Sequence, residues 1–133
     1  MRIALMSHNN KKQLMVQFCF AYASILSRHD LYATATTGHL VSETTGLHVH
    51  LLLSCQQGGN QQIGARIIYN EMDMVLFFAD HETPSMEKEL LYISNACAKN
   101  NIPFASNEST AEMLVLGMDR GDLDWRKIVN LKH

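Results

Sequence analysis

Short, nearly continuous apolar runs alternate along the whole chain with longer stretches of helical periodicity, and this alternation most limits what the sequence can fold into. IALM at 3–6, VHLLL at 49–53 and MVLFF at 74–78 read as strands covered on both faces. With them, strands are expected at Arg2–Ser7, Leu31–Ala35, Val49–Leu53, Met74–Phe78 and Phe104–Ser106. Between them, Lys11–Ser27 places Leu14, Phe18, Tyr22 and Ile25 on one helical stripe. Ser85–Asn100 does the same with Met86, Leu90, Ile93 and Cys97, and Ser109–Met118 with Met113, Leu114 and Met118 after a polar start, Asn107-Glu108-Ser109, that can cap it. Pro84 precedes a helix and Pro103 a strand, so neither interrupts an element. The expectation is an α/β fold: a three-layer α/β/α domain over 1–133 around a mainly parallel five-stranded sheet with right-handed crossovers.

Composition narrows the function classes. A length of 133 residues, 47% hydrophobic and 18% charged, suits one globular domain and excludes disorder. A formal charge of −2, with no basic run beyond Lys11-Lys12, leaves no field for nucleic acid. No apolar run is long enough to span a membrane, and the N-terminus does not read as a secretory signal. Cys19, Cys55 and Cys97 form no CxxC pair, which points to a reduced, cytoplasmic setting. His48 and His50 share one side of a strand, but no third ligand has a metal-site spacing, so no metal is expected.

Ligands of open α/β sheets bind at the carboxyl ends of the strands. Three polar loops follow strands here: Ser7–Lys12; Thr34-Ala35-Thr36-Thr37-Gly38, leading to a helix from about His39; and Ser54–Gln62, leading to another. Hydroxyls of Thr34, Thr36, Thr37 and Ser54, the Lys12 ammonium and helix N-terminal amides together suit a phosphate. Gly38, Gly58 and Gly59 allow a close backbone approach. The alternatives are ordinary ones: a capped turn, a solvated lysine, or a surface histidine at position 8. Asn60 reads either as a ligand contact or as the cap of the following helix.

The blocks IALMSHNNKKQ, DLYATATTG, TTGLHV, LSCQQGGNQQIGA, MDMVLFFAD and NIPFASN, with the tail DRGDLDWRKIV, resemble the methylglyoxal synthase family from end to end. The resemblance implies a homohexameric lyase that needs no cofactor. It forms an enediolate from dihydroxyacetone phosphate and expels phosphate to leave methylglyoxal. It also implies substrate and phosphate contacts at His8, Lys12, Thr34, Ala35, Thr36, Thr37, Ser54 and Cys55, with Gly usual at positions 35 and 55. Cys55 adds bulk there; as a reactive thiol it would draw on a helix N-terminus.

The departures are informative. The family's GGDQQ reads GGNQQ, placing Asn60 at the catalytic base, and its AHD reads SHN, placing Asn9 at a second aspartate. Asp80 keeps an aspartate position. The family's PHxPD segment is missing, its histidine falling on or near Met86 and its aspartate on or near Glu89. An amide cannot serve as general base, a role typically worth about 10²- to 10⁴-fold, or roughly 3–6 kcal/mol of barrier. Three readings follow. One is a binder of dihydroxyacetone phosphate or a similar small phosphorylated metabolite, with lyase activity weak or lost. Another is an active synthase with a substitute base, sought at Glu82 or Glu89, or more remotely at His8 or His81. The third is a non-catalytic regulatory subunit; the fold also resembles the effector-binding domain of carbamoyl phosphate synthetase.

Overall fold

The computed structural model describes residues 1–54 and 57–129. Its elements in chain order are β1 (Arg2–Ser7), α1 (Lys12–Ala21), α2 (Ala23–Leu26), β2 (Asp30–Thr34), α3 (Ala35–Thr45), β3 (Val49–Leu52), α4 (Gly59–Ile68), β4 (Met74–Phe78), α5 (Glu87–Lys99), β5 (Phe104–Ala105), α6 (Glu108–Arg120) and α7 (Trp125–Val129). The strands form one five-stranded sheet in the order β3-β2-β1-β4-β5, and every pairing is parallel.

Alternation along the central strands divides the core in two. Ile3 and Leu5 of β1, with Met74, Leu76 and Phe78 of β4, meet Met15, Phe18 and Cys19 of α1, Val41 of α3 and Val115 of α6. Ala4 and Met6, with Val75 and Phe77, face the other way onto Ile63 and Ile67 of α4 and Ile93 and Cys97 of α5. This is the expected three-layer arrangement, and β4 is buried at all five positions because both its faces are covered. Burial pushes the thiols of Cys19 and Cys97 up to about 12, so both act as small apolar side chains.

Several expectations need correction. β3 is an edge strand, with His50 and Leu51 exposed, so VHLLL is not covered on both faces, and Leu53 lies outside it. β2 ends at Thr34; Ala35 already opens α3, four residues before the expected His39. The first helix breaks at Tyr22, whose φ of −110° and ψ of 22° separate α1 from α2. Met113 is 68% exposed, and α6 instead buries Ala111, Val115 and Met118. Asn107 does cap that helix, its side-chain oxygen accepting from the Thr110 amide at 2.9 Å. α7 is a further helix for which no element is expected from the sequence.

Away from the strand carboxyl ends, Asp73 ties three segments together. It accepts from the Arg2 amide at 2.8 Å and from Arg2 Nε at 3.0 Å. Its carbonyl accepts from Nη1 of the buried Arg126 at 3.2 Å, and that nitrogen lies 3.8 Å from the carboxylate. Burial alone would push the Asp73 carboxyl up, but the hydrogen bonds from Arg2 and the charges of Arg2 and Arg126 hold it below the usual range. A depressed carboxyl contributes stability that is present above its unfolded value, near 4, and lost as pH falls through the folded value. Asp73→Ala is expected to destabilise the fold by about 3 kcal/mol at pH 7, because it leaves Arg126 buried without its counter-charge. The loss should shrink below about pH 4, as urea unfolding of both proteins across that range would show.

Candidate functional site

The strand order sets the position of the site. After β1 the chain moves to one side through β2 and β3, then returns to β1's other side with β4, so the order reverses between β1 and β4. Loops leaving two such strands diverge and open a crevice at their carboxyl ends. A cavity of about 450 Å³ occupies this place.

Of the residues singled out from the sequence, His8, Asn9, Lys12, Thr34, Thr36, Asn60, Asp80, Met86 and Glu89 line the cavity. Thr37 does not; it is buried beneath, with its hydroxyl 3.2 Å from Ser7 Oγ and 3.4 Å from Lys12 Nζ. Lys12 Nζ also donates to the Ser7 carbonyl at 3.3 Å, which holds the ammonium over the end of β1. Ala35 is the first residue of α3. Ser54 Oγ donates to Gln57 Oε1 at 3.2 Å, inside its own loop. Cys55 lies outside the described residues. Glu82 is exposed and does not line the cavity. The sequence reading missed Met6, Ser7, Asn10 and Phe77 as cavity residues; Ser7 and Asn10 stood in the first polar loop, whereas Met6 and Phe77 gave only an apolar strand signal.

The α3 N-terminus, at Ala35-Thr36-Thr37, points first-turn amides toward this crevice end of the sheet, amides that have no partner within the helix. α4 brings in Asn60 through the two glycines before it. Gly58 takes a φ of +100°, a left-handed turn that favours glycine. A Cβ on Gly59 would lie 2.1 Å from the Leu53 carbonyl oxygen and 2.7 Å from Thr34 Cγ2. The helix can therefore start flush against β3 and Thr34, and Asn60, its second residue, is buried at the cavity wall. Gln62 fixes this approach, its Oε1 accepting from the Leu53 amide at 2.8 Å.

His8 sits at the centre, 93% buried, with its ring edge-on to Phe77 at 4.9 Å. Its Nδ1 accepts the Asp80 backbone N–H at 2.7 Å. In the neutral ring the proton therefore sits on Nε2. Glu89 Oε2 lies 3.4 Å from that nitrogen without hydrogen-bond alignment, so Nε2–H makes no hydrogen bond among the described residues. The Asp80 carboxylate faces its own loop: it accepts from Thr83 Oγ1 at 2.6 Å, the Glu82 amide at 3.0 Å and the Thr83 amide at 3.3 Å. The Thr83 hydroxyl and the Glu82 amide, helped by Asn10, hold this carboxyl below its usual range. Asp80 is thus the organiser of the loop after β4, and its lone pairs are largely committed.

No group of three His, Cys, Asp or Glu among the described residues could hold a metal ion. His48 and His50 meet each other edge-to-face at 4.8 Å, and His50 stacks on Tyr32 at 4.7 Å. No described helix is long and apolar enough to cross a membrane.

A parallel sheet with a polar crevice at its reversal point defines the class of open α/β domains that bind ligands at the carboxyl ends of their strands. Within it, the sequence profile of the MGS-like domain matches residues 14–106, and the chain belongs to that family. It is 53% identical over 133 residues to the methylglyoxal synthase of Caldicellulosiruptor saccharolyticus, covering 99% of this chain and 94% of that one. To the methylglyoxal synthase of Geobacillus thermodenitrificans it is 48% identical, over 98% of this chain and 91% of that one. The crystal structure of methylglyoxal synthase from Elizabethkingia anophelis superposes with a TM-score of 0.77 at 33% identity, over 86% of this chain and 76% of that one.

Gly59→Ala is expected to cost about 1–3 kcal/mol, because the clashing atom is a backbone carbonyl that cannot rotate aside. The atoms nearest an added Cβ at Gly64 belong to the Tyr92 side chain, which is exposed and can swing away, so Gly64→Ala should cost less. Guanidinium unfolding of the two variants side by side measures the difference.

Proposed function

We propose that the cavity binds dihydroxyacetone phosphate, or a similar small phosphorylated carbonyl compound, and that the elimination of phosphate to methylglyoxal runs slowly. What carries this reading is the convergence of Lys12, Thr36 at the α3 N-terminus and the buried amide of Asn60 on one cavity at the strand ends. The Lys12 ammonium and the α3 amides give the phosphate a charged partner and a set of aligned donors. His8 Nε2–H, buried and without a hydrogen-bond partner among the described residues, offers a donor to a carbonyl oxygen. The wall position at the start of α4 carries an amide, which donates and accepts hydrogen bonds but does not take up a proton near neutral pH. With Asn at positions 9 and 60, fewer negative charges face an anionic ligand, which favours binding over turnover.

A second reading, an active synthase with a substitute base, draws on Glu89, whose carboxylate lines the same cavity 3.4 Å from His8 Nε2.

Phosphate and methylglyoxal release from dihydroxyacetone phosphate separate the two. Under the slow reading, Asn60→Asp should raise turnover by about 10²-fold or more. Turnover of the unchanged protein at the variant's rate would favour the second reading. Lys12→Ala should weaken binding of dihydroxyacetone phosphate by about 10- to 100-fold, the value of a hydrogen bond to a charged group, measured by calorimetry.

A further inference from the structure

We propose that a second cavity, at the opposite pole of the sheet, binds a small monocarboxylate with an apolar body, its carboxylate paired with Arg126. This cavity of about 190 Å³ lies at the amino ends of the strands, where α5 runs out toward β5 and the turn between α6 and α7 packs against it. Its walls include Cys97, Ile102, Pro103, Leu123, Trp125 and Arg126. Nothing in this site depends on the ligand proposed for the strand-end cavity.

The guanidinium is the feature that calls for an anion. Arg126 is only 3% exposed; its Nε donates to the Asn101 carbonyl at 3.1 Å and its Nη1 to the Asp73 carbonyl at 3.2 Å. Nη2 is buried and has no hydrogen-bond partner among the described residues. The Asp73 carboxylate is engaged by Arg2, through its amide at 2.8 Å, Nε at 3.0 Å and Nη2 at 3.2 Å, and stays 3.8 Å from Arg126 Nη1. Two guanidiniums thus draw on one carboxylate, and the buried one is left with excess positive charge. Burial pushes the Arg126 guanidinium below its usual value, with Asp73 opposing the fall and Arg2 adding to it. A buried N–H without an acceptor and a charge without a counter-charge are both costly, and one carboxylate oxygen answers both.

The remaining walls set the rest of the ligand. Ile102, Pro103, Leu123 and the Trp125 indole are apolar. Cys97 adds no charge, because burial pushes its thiol up to about 12. One excess positive charge matches one negative charge; a phosphate dianion would carry a second into these apolar walls without a counterpart. The site therefore suits a carboxylate on a short branched or cyclic hydrocarbon body. Nη2 is buried behind the walls as they stand, so the ligand enters as one of them yields. Trp125, 48% exposed at the start of the five-residue α7, is the large side chain free to do so. It is also the single tryptophan of the chain, so its fluorescence reports on this cavity.

The experiment titrates isovalerate into the full chain at constant ionic strength, following Trp125 emission and thermal unfolding. A saturable emission change with a Kd on the order of millimolar is expected, with a rise in unfolding temperature as the site fills. Isovaleramide, which has the same shape without the charge, and inorganic phosphate should act at least about 10-fold more weakly on the same signal. Ala98 lines the cavity from an exposed position of α5. Ala98→Leu fills the space and leaves Arg126 in place; it should weaken isovalerate by about 10-fold or more in a protein that stays folded. Arg126→Gln should weaken it as much, its folding checked by the same melt. The proposal is overturned if isovalerate gives no saturable change beyond that of sodium chloride, or if the amide binds as tightly as the acid. It is overturned equally if Ala98→Leu binds isovalerate unchanged, or if phosphate moves Trp125 with the same affinity.

Discussion

The pairing of β1 with β4 is the constraint on which the rest of the site depends. Ile3 to Ser7 run in register with Met74 to Phe78, both strands buried, and the ladder continues one residue further as the His8 amide donates to the Phe78 carbonyl at 3.1 Å. That last bond fixes His8 at the point where the two chains part. The chain reaches β4 only after β2, α3, β3 and α4 have been laid on the far side of β1. The loops after β1 and β4 must then diverge to opposite faces, and the space between them is the cavity. A hydrophobic ladder, stabilised by covering helices on both faces, thereby holds a polar concavity open at its end.

Asp80 joins that ladder to the chemistry. Its backbone N–H sets the tautomer of His8, while its carboxylate gathers Glu82 and Thr83 into a turn. The loop and the imidazole are therefore one mechanical unit. A carboxylate whose lone pairs are filled by hydroxyl and amide donors is stabilised as an anion, which makes it a poor proton acceptor. With the proposed ligand, the polar inventory of the wall separates into anion-directed groups, Lys12 and the α3 amides, and a carbonyl-directed group, His8.

Much of this was legible in the chain, for reasons particular elements make clear. MVLFF is continuous because β4 is covered twice, and its reading as a buried parallel strand held at every position. VHLLL looked the same, but β3 is an edge, where apolar side chains stand in the open; local hydropathy does not distinguish the two. Met113 fits the α6 stripe by spacing yet is exposed, since the burying face runs through Ala111 and Val115. The break at Tyr22 carries neither Gly nor Pro, so no local residue announced it. The loops at the strand ends were visible as polar clusters, and His8, Lys12, Thr34, Thr36 and Asn60 were all picked from them.

By itself, then, the sequence determined the layers, the strand-end loops and the family, because period, run length and glycine placement are local properties that fold topology must obey. Tertiary structure decided which of the polar residues share a cavity. It turned Thr37 beneath the wall, spent Asp80 on its own loop, kept Glu82 outside, and brought Glu89 from the first turn of α5 to within 3.4 Å of a histidine 81 positions earlier in the chain. Side chains that distant meet only when strand order and helix packing place them. The direction of the imidazole proton rests on a single long-range hydrogen bond that no local pattern encodes.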